Sequence, residues 1–368
     1  MMIPYRKSIE PLAPYIPGKP IEDVKREYGL TNVVKLASNE NPLGCSPVAK
    51  AAVIRAMDEA NYYPDGNCVA LREKLAGKLG ISTDEIIFGC GADEVLAMCG
   101  KVFVNEGDEA ITARFTFSQY AASVESMGGK MIYAPMKDHG FDLGAIASAV
   151  TPRTKVIFVA NPNNPTGTIF GKDALYKFLS DIPPRIFVVI DSAYEEYVID
   201  PCYPSYAYVK ELMKKFNNIM LIKTFSKIYG LASLRVGYGV ANKEIVTLFE
   251  KVRPPFNVTI QGQAAALASL DDPGFAEKTA RINRESMDYY CGKIGEMGLE
   301  YIPSQANFVM TNVGRDSREV FVGLMKRGYI IRPGAPFGMD EWIRVTMGTM
   351  EQMEGFIKAL GAVLFLRA

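Results

Sequence analysis

Lys155-Val-Ile-Phe-Val-Ala-Asn-Pro-Asn-Asn-Pro-Thr-Gly167 runs from an apolar, β-branched segment straight into a loop of amides and prolines. Arg185-Ile-Phe-Val-Val-Ile-Asp-Ser-Ala-Tyr194 repeats the arrangement after an amphipathic stretch, Lys172–Asp181. Strands without polar alternation are covered on both faces, as in a parallel sheet between helices. Outward from this unit the pattern continues, with strands predicted at Glu85–Phe88, Ala110–Ala113, Met131–Ala134 and Ile219–Ile222. Helices are predicted between them at Ala92–Phe103, Phe117–Met127 and Tyr206–Phe216. Ser46-Pro47 pairs an N-cap with a proline at the first helical position, opening a helix through Met57, and a second helix from Cys68 to Leu79 stops at Gly80. Strands alternating with helices define an α/β fold with a mostly parallel sheet.

Beyond Arg253-Pro254-Pro255 the pattern changes. A long helical region, Gln261–Met297, precedes short strands at Phe308–Thr311 and Ile343–Met347 and a terminal helix from Met350. The expected organisation is an irregular, proline-rich arm (1–35), a large domain (36–253) and a smaller α+β domain (254–368).

Across 368 residues, 41 Lys+Arg balance 41 Asp+Glu, so the net charge gives no case for nucleic acid or a membrane surface as partner. The apolar runs are strand-sized, and Met1–Lys19 lacks the apolar core of a signal peptide, so a cytoplasmic location is expected. Six scattered cysteines form no CxxC pair and read as free thiols. His139, the single histidine, sits in a turn-like Lys-Asp-His-Gly, so no metal site is expected and no triad is expected outside that turn.

Chemistry gathers where strands end, since ligands of parallel sheets bind beyond the strands' carboxyl ends. Phe88-Gly-Cys-Gly-Ala-Asp-Glu94 is a glycine-rich strand-to-helix turn whose backbone N–H groups suit a phosphate, although a plain tight turn gives the same string. Asn161–Gly167 holds more amides than turn formation requires. Asp191 closes an apolar strand, where a carboxylate is either a helix cap or the partner of a cation. Thr224-Phe-Ser-Lys227, followed by Arg235, places a lysine at another strand end, either solvated or poised for imine chemistry. A phosphate cradle, a carboxylate for a ring nitrogen, a phenol and an amide for a ring oxygen and an imine-forming lysine together suit pyridoxal phosphate.

On these residues the chain resembles the fold-type I aminotransferases and, within them, the histidinol-phosphate aminotransferase family. The likeness extends through Tyr15-Ile-Pro-Gly-Lys-Pro20, Lys35-Leu-Ala-Ser-Asn-Glu-Asn-Pro-Leu-Gly44, Tyr63-Pro-Asp65, Ser304-Gln-Ala-Asn-Phe308 and Arg344-Val-Thr-Met-Gly-Thr349. The resemblance implies that Lys227 carries pyridoxal 5′-phosphate as an imine and shuttles the substrate proton. Asp191 would pair with the ring nitrogen, and Asn164 and Tyr194 would bond the ring oxygen. Phe117 would stack on the ring. Ala92, Asp93, Ser226 and Arg235 would hold the phosphate, with Tyr63 reaching it from a second subunit of a homodimer. Arg344 would anchor the substrate's acidic group, with Tyr15, Asn41 and Arg332 as further substrate contacts. A surface ion pair is the other reading of Arg332.

The implied reaction converts L-histidinol phosphate and 2-oxoglutarate to imidazole acetol phosphate and glutamate. An aromatic amino-acid aminotransferase would use the same machinery, and a phospho-amino-acid decarboxylase or a non-catalytic cofactor sensor would use the same scaffold. Cys90, Arg114-Phe115, Thr259 and Gln261 depart from the family's usual pattern. Of these, the residues near 259 bear on the substrate pocket.

Overall fold

The computed structural model describes residues 3–14 and 18–365. The N-terminal arm is more regular than its prolines suggest. Pro20 opens helix α1 (Ile21–Tyr28), which Gly29 closes in the left-handed region. A short strand β1 (Val34–Lys35) follows. Val24 and Ala37 pack against Met325 and Ile330 from the far end of the chain, and that burial gives the arm its structure.

Helices α2 (Pro47–Ala56) and α3 (Val69–Leu79) form where their caps place them. The Ser46 hydroxyl accepts the Ala49 N–H, and Gly80 ends α3 in the left-handed region. The alternating body then runs β2 (Ile86–Cys90), α4 (Ala92–Phe103), β3 (Glu109–Ala113), α5 (Gln119–Glu125) and β4 (Lys130–Ala134). A small hairpin of β5 (Met136–Lys137) and β6 (Gly140–Phe141) leads to α6 (Leu143–Ser148), β7 (Thr154–Ala160), α7 (Lys172–Asp181), β8 (Phe187–Asp191), α8 (Tyr206–Met213) and β9 (Ile219–Thr224). β10 (Val236–Ala241) and α9 (Lys243–Glu250) complete it.

The resulting seven-stranded sheet has the order β2-β10-β9-β8-β7-β3-β4. All neighbours pair in parallel except β10, which is antiparallel to both β2 and β9. β10 is absent from the sequence-based expectation because Val-Gly-Tyr-Gly-Val-Ala is interrupted by glycines. The structure supplies their reason: a Cβ on Gly237 would sit 2.2 Å from the Ala92 nitrogen. That glycine lets the start of α4 lie directly on the sheet.

The expected single helical region Gln261–Met297 is two helices, α10 (Ile260–Ser269) and α11 (Pro273–Glu296). They separate because Pro273 lacks an N–H and the Asp272 carboxylate accepts from Phe275 N. Val258, Ala265, Ala266 and Leu270, which follow the expected boundary after residue 253, pack in the core of the large sheet. The remaining elements are β11 (Tyr301–Ile302), β12 (Phe308–Asn312), α12 (Ser317–Met325), β13 (Tyr329–Ile330), β14 (Arg332–Pro333), β15 (Trp342–Thr346) and α13 (Met350–Leu364). β11-β12-β15-β14 form an antiparallel sheet backed by α11 and α13, and β1 pairs in parallel with β13. Among the described residues no helix is long and apolar enough to cross a membrane.

Candidate active site

The parallel strands β7, β8 and β9 end side by side, so the residues that follow them face a common space. β14 and β15 of the smaller sheet close it from the other side, and residues 37–40, just after the arm, cross its edge. Ala92, Asp93, Phe117, Asn164, Asp191 and Tyr194 line this cavity, as do Ser226, Lys227, Arg235, Arg332 and Arg344.

One end of the cavity is built to hold an anion. Gly91 has φ 77° and ψ 167°, a conformation essentially reserved to glycine, and turns the chain so that α4 begins at Ala92 with its first N–H groups free. Arg235, itself left-handed with φ 54°, donates to the Asp93 carboxylate at 3.1 Å and to the Ala232 carbonyl at 3.2 Å. A Cβ on Gly91 would overlap that guanidinium, at 2.3 Å. Thr224, unassigned by the sequence, donates its hydroxyl to Ser226 Oγ at 3.0 Å and accepts the Ser226 N–H at 3.1 Å, orienting the serine.

The floor holds Asp191, only 8% exposed. Burial raises its carboxyl above the ordinary aspartate value, opposed by hydrogen bonds from Tyr120 and the Ala193 N–H. The Tyr120 hydroxyl donates to Asp191 Oδ2 at 2.7 Å, and Ala193 N donates to Oδ1 at 3.0 Å. Lys227 Nζ donates to the Ser38 carbonyl at 3.3 Å and lies 5.6 Å from the centre of the Tyr194 ring. The Tyr194 hydroxyl accepts from Asn39 Nδ2 at 2.9 Å.

Of the two amides in Asn39-Glu-Asn41, Asn39 and not the expected Asn41 lines the cavity. Its φ of 57° is one asparagine tolerates, and Thr346 and Asn307 hold it from the small sheet. Asn41 is committed elsewhere, donating to the Ile228 carbonyl at 3.0 Å and to Thr279 Oγ1 at 3.3 Å, outside the cavity wall. Tyr63 also lies off this wall in its own chain, 81% exposed and stacked on Phe256 with 4.7 Å between ring centres. Tyr15 falls outside the described residues.

At the opposite end, Arg344 donates one arm to Asn164 Oδ1 and the other to the Ala37 carbonyl at 2.8 Å. Its guanidinium is 5.3 Å from the Phe308 ring centre and 5.4 Å from that of Phe337. Arg332 is the direct cross-strand partner of Arg344.

These residues fit pyridoxal 5′-phosphate, judged by donor chemistry. A guanidinium, a hydroxyl and a helix N-terminus stand at one end for a phosphate, with a buried carboxylate for a ring nitrogen and an amine beside the cavity. Two further guanidiniums, Arg332 and Arg344, line the far end. Among the described residues no group of His, Cys, Asp and Glu could hold a metal ion.

The signature of the aminotransferase class I and II family matches residues 31–360. Histidinol-phosphate aminotransferase of Moorella thermoacetica is 49% identical over 360 residues, covering 98% of this chain and 92% of that protein. The enzyme of the same name from Caldicellulosiruptor saccharolyticus is 47% identical, covering 98% of this chain and all (100%) of that protein. Among solved structures, histidinol-phosphate aminotransferase of Sinorhizobium meliloti in complex with pyridoxal-5′-phosphate superposes with a TM-score of 0.89 at 26% identity, covering 99% of this chain and 98% of that one.

Proposed function

The chain belongs to the class I and II aminotransferases, within them to the histidinol-phosphate aminotransferases, and on that premise we propose that it transfers the amino group of L-histidinol phosphate to 2-oxoglutarate, giving imidazole acetol phosphate and glutamate. The observation that carries this reading is one cavity holding Lys227, Asp191 and Arg344 together with an anion cradle of Arg235 and Ser226.

Bound pyridoxal 5′-phosphate supplies an aldehyde that takes up the amino group and a conjugated ring that accepts carbanion charge. Arg235, Ser226 and the N–H groups of Ala92 and Asp93 would hold its phosphate. Asp191 would keep the ring nitrogen protonated, and Tyr194 and Asn164 would hydrogen-bond the ring oxygen. Lys227 Nζ would remove the proton from the amine-bearing carbon of the substrate and return it on the far side of the transfer. Arg344, tethered at both arms, presents a fixed guanidinium to the acidic group of each substrate in turn, the phosphate ester of the donor and the carboxylate of the acceptor. Arg332 adds its charge from the neighbouring strand.

The same proposal includes a homodimer in the cytoplasm. Ile54, Met57, Tyr62, Tyr63 and Phe256 are exposed apolar residues on or just after α2 and in the loop before α10, a surface suited to a second copy. From there Tyr63 would reach the phosphate of the opposite subunit. The test is glutamate formation from histidinol phosphate and 2-oxoglutarate. The wild type should form one glutamate per donor consumed and Lys227→Ala none, and turnover persisting in that variant would contradict the assignment.

A further inference from the structure

Tyr120 lies on α5, in a helix that the sequence marks only as amphipathic, yet it is 1% exposed and borders the cavity floor. Its ring is fixed on two sides. It stacks on Phe158 of β7 with 5.2 Å between centres and 7° between planes, and it meets Phe117 edge-on at 5.7 Å and 86°. Its hydroxyl is the one side-chain donor to Asp191 among the described residues. Burial, reinforced by the neighbouring Asp191 carboxylate, holds the phenol well above its ordinary range, so it stays a donor and does not compete as an acid.

A carboxylate at the end of a buried strand has a conflict. Its charge is needed to face a protonated ring nitrogen, and removal from water works against that charge. A charge-assisted hydrogen bond resolves it, stabilising the ionised form and fixing one oxygen so that the plane of the group is set. The same ring supports Phe117, which lines the cavity beside it.

We propose that Tyr120 is a positioning residue for the transamination, holding Asp191 ionised and correctly turned toward the cofactor's ring nitrogen while its ring supports Phe117 at the ring face. The proposal rests on the reading of this cavity as a pyridoxal 5′-phosphate site. It differs from a packing role in one respect: loss of the hydroxyl matters only to ligands that carry the ring nitrogen.

Tyr120→Phe keeps the ring and removes the hydroxyl. The apoprotein would be titrated with pyridoxine 5′-phosphate, which forms no imine, and with the counterpart in which C–H replaces the ring nitrogen. Wild-type protein should prefer the nitrogen-bearing probe, and Tyr120→Phe should lower that preference about tenfold, the scale of one hydrogen bond to a charged group, with binding of the carbocyclic probe unchanged. In an Asp191→Asn background, adding Tyr120→Phe should change nothing further, because the coupled group is gone. Equal weakening of both probes, or no change in either, overturns the proposal while leaving the cofactor site intact. Failure of the wild type to bind either probe overturns the cofactor reading itself.

Discussion

Replacing Gly91 with alanine tests whether the anion cradle depends on backbone geometry. At φ 77° and ψ 167°, the residue occupies a region open almost only to glycine, so a side chain there costs about 1–3 kcal/mol. The new Cβ would stand 2.3 Å from Arg235 Nη2 and 2.8 Å from its central carbon. Ordinary contact requires about 3.5 Å, so the guanidinium must retreat by about 1 Å from the position facing the start of α4. Losing one charge-assisted hydrogen bond to a phosphate lowers affinity about ten- to a hundredfold. Urea denaturation of the apoprotein measures the first effect, and equilibrium titration with pyridoxal 5′-phosphate measures the second. Gly80→Ala is the control: its φ of 65° is also strained, but the nearest atom is the end of a flexible lysine side chain, Lys210, at 3.2 Å. It should lose about 1 kcal/mol with unchanged affinity. Wild-type affinity in Gly91→Ala, or the same loss in Gly80→Ala, would refute the reasoning.

Two further outcomes follow from buried charge. Burial lowers the proton affinity of Lys223, but Glu196 and Glu195, each 2.8 Å away, overcome this and hold the ammonium well above the usual lysine range. Lys223→Met strands two carboxylates and should cost about 3–5 kcal/mol in urea denaturation, with Glu195→Gln and Glu196→Gln together restoring most of it; an unaffected single variant would remove the argument. Asp191 titrates above its unfolded value, so the folded apoprotein holds the proton more tightly than the unfolded chain. Its contribution is therefore favourable below the unfolded pKa of about 3.9 and is lost as pH rises through the folded value. Asp191→Asn apoprotein should accordingly melt higher than wild type at neutral pH, converging with it in acid, while turnover collapses; a lower melting temperature at neutral pH would contradict this sign.

Most of the large sheet was legible because buried parallel strands are written as unbroken apolar runs, and α4 and α7 were bounded correctly by glycine turns and strand ends. β10 was illegible for a local reason: Gly237 exists for the approach of α4, a contact remote in sequence. The break between α10 and α11 was in plain view as Asp-Asp-Pro, but the apolar periodicity on both sides masked it. The candidate site residues at strand ends were legible because a carboxylate, a lysine and a run of amides are unusual directly after apolar strands, and the structure brings them to one cavity. Tyr120 and Asn39 carry no such signal, since each is hydrogen-bonded to a residue remote in sequence, Asp191 and Tyr194 respectively, that one-dimensional pattern does not pair. Asn41 was drawn in by standing in the same Asn-Glu-Asn string. The left-handed backbone at Asn39 is what aims one amide at the cavity, while the other is held by Ile228 and Thr279.

The most direct test of the central claim is the half-reaction. Holoenzyme is mixed with a single amino donor and no acceptor, and the visible absorbance of the lysine-bound cofactor is followed. Histidinol phosphate should bleach that band far faster, at equal concentration, than phenylalanine, whose ring brings no phosphate to the arginine-lined end of the cavity. Faster bleaching by phenylalanine would contradict the substrate assignment, and a protein that develops no such band after addition of pyridoxal 5′-phosphate would contradict the account of the site.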